Sequence, residues 1–143
     1  MYYEFKLTRM GTDDQGKVKR FNEVYLVEAL SIYEAITRFE NTISQYFPEH
    51  EVIATKKTAY SEVIADGSGD KYYRVKMNIL TVNERTGAEE KTANHILIAA
   101  DDLDAAKAKY EAMLKTWMAD VALESISETK IVDYFNHDLQ NQA

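Results

Sequence analysis

An internal repetition limits the folds open to this chain more than any other feature of its sequence. Tyr3-Glu4-Phe5-Lys6-Leu7 returns as Tyr73-Arg74-Val75-Lys76-Met77, and the downstream apolar pattern returns 71 positions later. The stretch from Val24 through Phe47 aligns without a gap on His95 through Met118. Ile32, Ala35, Phe39, Ile43 and Tyr46 meet Leu103, Ala106, Tyr110, Leu114 and Trp117, the i, i+3, i+4, i+7 spacing of one buried helix stripe. A chain that keeps one apolar register twice is expected to fold as two copies of one unit.

The punctuation keeps the same register. Ser31 is placed to cap the first helix, with Glu34 three residues on as a capping box, and Asp102 is the equivalent cap of the second. Pro48 ends the first helix. Before each helix a turn glycine, Gly16 or Gly87, separates two strand-like runs, Tyr2 to Arg9 from Lys17 to Val27 and Lys71 to Val82 from Glu89 to Ala99. After each helix a long β-like segment follows, Glu51 to Ile64 and Asp120 to Phe135.

Each copy therefore reads strand, strand, helix, strand. The expected fold class is α+β: an internal duplication forming one compact pseudo-twofold domain, with largely antiparallel sheet and two helices. The repeats run over 2–64 and 72–135, residues 65–71 form a short connector, and 136–143 a flexible tail. A unit of about 65 residues is near the lower limit for a stable core, which favours the fused pair. Phe39, Ile43, Tyr110, Leu114 and Trp117 are its expected core residues.

Composition narrows the chemistry. There is no cysteine, which removes disulfides, thiolate nucleophiles and cysteine zinc sites. No apolar stretch is long enough for a membrane helix and no signal-peptide pattern opens the chain, so no membrane partner and a cytoplasmic location are expected. The net charge of -7 is spread over both halves and opposes whole-molecule attraction to nucleic acid, while leaving room for a local basic stripe.

No motif specifies a reaction. The three histidines, His50, His95 and His137, show no metal-ligand spacing. Asp101, Asp102 and Asp104 cluster at a helix start, where carboxylates cap amides and complement the dipole. Asp66-Gly67-Ser68-Gly69-Asp70 supplies only part of a calcium loop. Glu62 and Asp133 are repeat-equivalent carboxylates without supporting groups. No catalytic residue, metal site or cofactor is expected.

A binding surface is better supported. If Tyr3, Phe5, Leu7, Tyr73, Val75 and Met77 face the helices, alternation sends Tyr2, Glu4, Lys6, Tyr72, Arg74 and Lys76 to the other face of the sheet. The second strands add Lys17, Lys19, Arg20 and Lys91. Rings beside cations can stack bases and meet phosphates, so Tyr2, Lys6, Lys19, Arg20, Tyr72, Arg74, Lys76 and Lys91 form the candidate site for single-stranded nucleic acid. The same strands carry apolar residues on both faces, Val24 to Val27 and Ile96 to Ile98, so part of the second face is expected to be covered.

Lys6, Tyr25-Leu26-Val27-Glu28-Ala29-Leu30-Ser31, Ala59-Tyr60-Ser61-Glu62, Thr86-Gly87-Ala88-Glu89-Glu90-Lys91-Thr92 and Ser125-Ile126-Ser127-Glu128-Thr129 together resemble an uncharacterised family, domain of unknown function 4494. The resemblance spans Tyr2 to about Phe135 and implies a small intracellular protein of a gut bacterium or its phage. It supplies no catalytic residue. Two functions are expected to compete: a non-enzymatic, phage-associated binder of single-stranded nucleic acid, and a protein-interaction module such as a phage factor that blocks a host enzyme or defence complex. Small-molecule binding between the repeats is a third, and self-association through a sheet face or edge remains open.

Overall fold

The computed structural model describes residues 1–67 and 69–136. His137 and all but the first residue of the expected tail lie outside them. Strands β1 (Tyr2–Thr12) and β2 (Val18–Glu28) lead into helix α1 (Ile32–Tyr46), followed by β3 (Glu51–Lys57) and β4 (Tyr60–Ile64). Then come β5 (Lys71–Val82), β6 (Glu89–Ala100), helix α2 (Leu103–Leu114), β7 (Asp120–Glu128) and β8 (Ile131–Phe135). The fold is α+β, with two mostly antiparallel four-stranded sheets in the orders β3-β1-β2-β8 and β4-β6-β5-β7.

Both hairpins form where the glycines predict them. Gly16 and Gly87 take positive φ, 81° and 70°, which an L side chain adopts only under strain. The turns differ by one residue: Asp13 N–H donates to the Lys17 carbonyl, whereas Asn83 N–H reaches one residue further, to Ala88. That extra residue explains why the repetition runs at 70 positions in the first strands and 71 afterwards. Tyr3 faces Val27 and Tyr73 faces Ile98 in otherwise identical register.

The helix starts are also as expected. Ser31 Oγ accepts from Glu34 N–H at 3.2 Å while Glu34 Oε2 accepts from Leu30 N–H, and Asp102 Oδ1 accepts from Ala105 N–H at 2.7 Å. The second helix is shorter than its apolar stripe suggests. Thr116 turns both its N–H and its hydroxyl onto the Met113 carbonyl, and Trp117 N–H tightens onto Leu114, so α2 stops before Trp117.

The long segments after the helices are not single strands, and this corrects the strand, strand, helix, strand unit. β3 runs antiparallel to β1, but the next strand, β4, pairs parallel with β6, and β8 pairs parallel with β2. The half that begins the chain thus gives its last strand to the other sheet and receives β8 in return. Both exits are pinned alike: Thr58 N–H and hydroxyl donate to the Tyr2 carbonyl, and Thr129 N–H and hydroxyl to Tyr72. Register shifts recur at equivalent places, after Lys6 and Lys76 and after Tyr60 and Ile131. Two compact units result, Met1–Thr58 together with the chain from Lys130 on, and Ala59–Thr129, so their limits cut across the sequence repeats.

In the first unit α1 covers one sheet face. Tyr3, Phe5, Leu7, Tyr25, Val27, Phe39 and Ile43 are buried there with Phe135 from β8. The rings of Phe5 and Phe39 stack at 4.4 Å, and Phe135 lies 5.7 Å from Tyr25 and 6.2 Å from Phe39. The second unit packs Val75, Met77, Ile96, Ile98 and Tyr110 with half-buried Ile64, Leu114 and Trp117. Phe39, Ile43 and Tyr110 are therefore full core residues, while Leu114 and Trp117 border the core. The connector is anchored at Gly69, whose positive φ and close approach to the Ala100 backbone leave no room for a Cβ.

Candidate functional site

The alternation expected of β1 and β5 holds. Tyr3, Phe5, Leu7, Tyr73, Val75 and Met77 are buried, and Lys6 and Arg74 are exposed on the opposite face. The rings of that face are withdrawn: Tyr72 is only 8% exposed, and half-buried Tyr2 lies 6.2 Å from Tyr134. Leu26 and Leu97, cross-strand neighbours of Glu4 and Arg74, are fully buried.

Several cations of the candidate site are engaged. Arg74 Nε donates to the Tyr60 hydroxyl at 3.2 Å, and Lys76 pairs with Glu124 at 3.3 Å. Lys19, Arg20 and Lys91 are exposed at the far end of each hairpin. Lys19 faces Gly11, nine rungs along β1 from Tyr2, which places it about 30 Å away at 3.3 Å per residue. Lys91, opposite Leu80, is similarly remote from Tyr72. Within each unit the expected rings and these cations do not converge.

The far end of the first hairpin holds a different cluster. Arg9 is bonded twice to Glu23, Nε at 2.6 Å and Nη2 at 3.3 Å, and its guanidinium lies 4.0 Å from the Phe47 ring centre and 4.7 Å from that of Phe21. His50 bridges the Phe47 carbonyl and Glu40. Arg20 and Met10 border a shallow cleft of about 160 Å³ beside them. Arg9 and His50 are thus committed to fastening the end of α1 to the sheet, a structural use of charge and cation–π stacking.

The surface that departs most from expectation is the N-terminal end of α1. Leu30 is 74% exposed, Tyr33 82% and Ile36 42%. Leu30 lies just before the N-cap Ser31, Tyr33 is on the first turn away from the buried stripe of Ala35, Phe39 and Ile43, and Ile36 flanks that stripe one turn from Ile32 and Phe39. At the equivalent places beside and on α2, 71 positions on, stand Asp101, Asp104 and Lys107, all exposed and of the type that a solvated helix carries. The two helices, each on its own sheet, thus differ at these equivalent places, although α2 also exposes Leu103.

Electrostatics set the two helices apart as well. From Glu28 to Glu51 the chain carries five glutamates and one arginine. That arginine, Arg38, is 1% exposed, donating to the Glu28 carbonyl and pairing with Glu34. Its counterpart Lys109 makes the same kind of bond to the Ala99 carbonyl at 2.6 Å, but Lys107 and Lys115 add exposed positive charge around α2. Exposed Tyr33 and Thr37 are uncharged, and the nearby carboxylates Glu34 and Glu40 are paired with Arg38 and His50. Among the described residues no three acidic or histidine groups are placed to hold a metal ion.

Attention to the buried stripe alone misses Leu30, Tyr33 and Ile36. The signal is present in the repeat once the outward positions are compared as well as the inward ones.

A family model described as Domain of unknown function (DUF4494) matches residues 1–137, and the chain belongs to that family. No curated protein and no solved structure matches it.

Proposed function

We propose that this chain is a non-enzymatic protein-interaction module that docks a partner protein at the N-terminal end of α1. The observation that carries this reading is the contrast of exposed Leu30, Tyr33 and Ile36 with Asp101, Asp104 and Lys107 at equivalent places. A group of exposed large apolar side chains lowers solubility, and a buried tyrosine with one wet edge is a favoured anchor of protein interfaces. Fully covering side chains of this size contributes about 1.5 to 3 kcal/mol each. The link to gut bacteria and their phages implied by the family resemblance fits a cytoplasmic factor acting on a host enzyme or defence complex.

A photo-crosslinking residue placed at position 33, and separately at 104, in cells that produce the protein tests this. A discrete protein adduct from position 33 and none from 104 is expected. Equal adducts from both, or none from 33, overturn it. The single-stranded nucleic-acid reading rests on the exposed cations Lys6, Lys19, Arg20 and Lys91. Oligonucleotide binding that weakens as salt rises and is lost on substituting these residues would favour it instead.

A further inference from the structure

We infer that the open cleft at the C-terminal end of α1 is a binding site for a small organic cation with an aromatic body, such as an arylalkylamine. It lies at the opposite end of the helix from the docking surface proposed above and is independent of it. Two compartments share Met10 and Glu49: the cleft of about 160 Å³ beside Arg20, and a second of about 410 Å³ lined by Met10, Tyr46, Phe47, Pro48 and Glu49. The second falls within the size range of small-molecule sites, roughly 300 to 1,000 Å³.

The chemistry of that lining selects the ligand. Met10 is 58% exposed and Tyr46 67%, so a thioether and an aromatic ring stand open to a flat apolar body. Among the described residues Glu49 is the one charged group of the larger compartment, and its carboxylate has no hydrogen-bond or ion-pair partner. Helix α1 ends there without a basic residue in its last turn, so the negative end of its dipole also favours a cation. The cationic groups close by are already matched, Arg9 by two bonds to Glu23 and His50 by Glu40. Arg20 lines only the smaller compartment, where Glu51 accompanies it. A carboxylate or phosphate in the larger compartment would meet Glu49 and the helix end with repulsion.

The wall is also fixed in advance. The Arg9 guanidinium lies 4.0 Å from the Phe47 ring centre and His50 Nδ1 bonds the Phe47 carbonyl at 2.8 Å, which lowers the ordering cost of binding. The second unit provides an internal control. Leu80, Trp117, Met118, Ala119 and Asp120 stand at the equivalent places, but Trp117 is drawn against the core and Asp120 enters β7 opposite Leu80. The architecture thus forms at this end of a helix without an exposed ring, and the fold does not require Tyr46 to stand open.

The test titrates the full nitrogen-15-labelled chain with phenethylamine and follows the amide signals. Saturable shifts centred on Tyr46 to Glu49 are expected. Phenethylamine should bind about three- to five-fold more tightly than uncharged phenylethanol, and phenylpropanoate more weakly still, the spread that one exposed carboxylate sustains. Glu49→Gln should weaken the amine about three- to five-fold and leave the alcohol unchanged. Tyr46→Ala should weaken both about three-fold or more. Glu84→Gln, exposed at the turn of the second hairpin, should change neither. N-acetyl-lysine amide, which offers the ammonium without a ring, should bind several-fold more weakly than phenethylamine.

Absence of saturation, shifts centred elsewhere, or tighter binding of phenylpropanoate than of the amine overturns the inference. So does amine binding that neither Glu49→Gln nor Tyr46→Ala alters, both being exposed positions whose variants are checked for native circular dichroism. Equal binding of N-acetyl-lysine amide and phenethylamine assigns the cleft to the lysine of a protein and overturns the small-molecule ligand. None of these results depends on the crosslink at position 33, so the two readings fail separately.

Discussion

Phe135→Ala is the most direct probe of the strand exchange, because this ring comes from the far end of the described chain and lies in the core built by its beginning. Phe135 is buried among Phe39, Tyr25 and the side chains of β1 and β2. A buried phenylalanine removes 150 to 250 Å² from water. If truncation gives up about 150 Å² of that, about 25 cal/mol per Å² yields about 4 kcal/mol, within the roughly 3 to 5 kcal/mol typical of Phe→Ala in cores. Urea unfolding followed by far-UV circular dichroism measures it, with Val132→Ala, an exposed position on the same strand, as the control expected to cost below about 1 kcal/mol. A loss below about 1 kcal/mol for Phe135→Ala would refute the docking of β8 beside β2.

The remaining predictions concern stability. Phe39→Ala should cost about 3 to 5 kcal/mol and half-buried Trp117→Ala distinctly less; equal losses in urea unfolding would contradict the different burial of the two rings. Gly69→Ala should cost about 1 to 3 kcal/mol, because φ is +96° and an added Cβ would stand 2.5 Å from the Ala100 Cα, whereas Gly16→Ala meets no neighbour and should cost less; the reverse order of urea midpoints would refute the close approach. Burial, and then the Glu23 carboxylate, raise the pKa of the Tyr25 hydroxyl above the ordinary tyrosine range near 10, so the folded state retains a proton that the unfolded chain releases. That contribution is whole below about pH 10 and is lost as pH rises above it; Tyr25→Phe should flatten the fall of the urea midpoint between about pH 9.5 and 11.5, and an unchanged fall would refute the assignment.

What the sequence made legible was whatever depends on local periodicity. The buried faces of β1, β5 and the helices follow from spacings of two and 3.6 residues, and the helix starts from Ser31 and Asp102, whose side chains bond the amides that those positions predict. The break between β3 and β4 was hidden because Glu51 to Ile64 contains neither glycine nor proline. What ends β3 is the grip of Thr58 on the Tyr2 carbonyl, a bond spanning 56 positions that no local pattern records. The exchange of β4 and β8 was invisible for the same reason: a parallel edge strand needs only alternating apolar residues, which suit either sheet equally well.

The candidate nucleic-acid surface is a different case. Tyrosines beside lysines on one strand face were given a binding role from strand alternation; Tyr72 is buried, and the cations at the hairpin ends lie eight to nine rungs along the strands from Tyr72 and Tyr2. A repeated chain contains its own control. Positions that must bury keep apolar character in both halves, as Phe39 and Tyr110 do, and positions that need only be wet can diverge without harm to the fold. Divergence toward charge, as at Asp104 and Lys107, is what solvation alone produces. Exposed Leu30 and Tyr33 run against that trend, and it is this contrast that supports the proposal of a docking role.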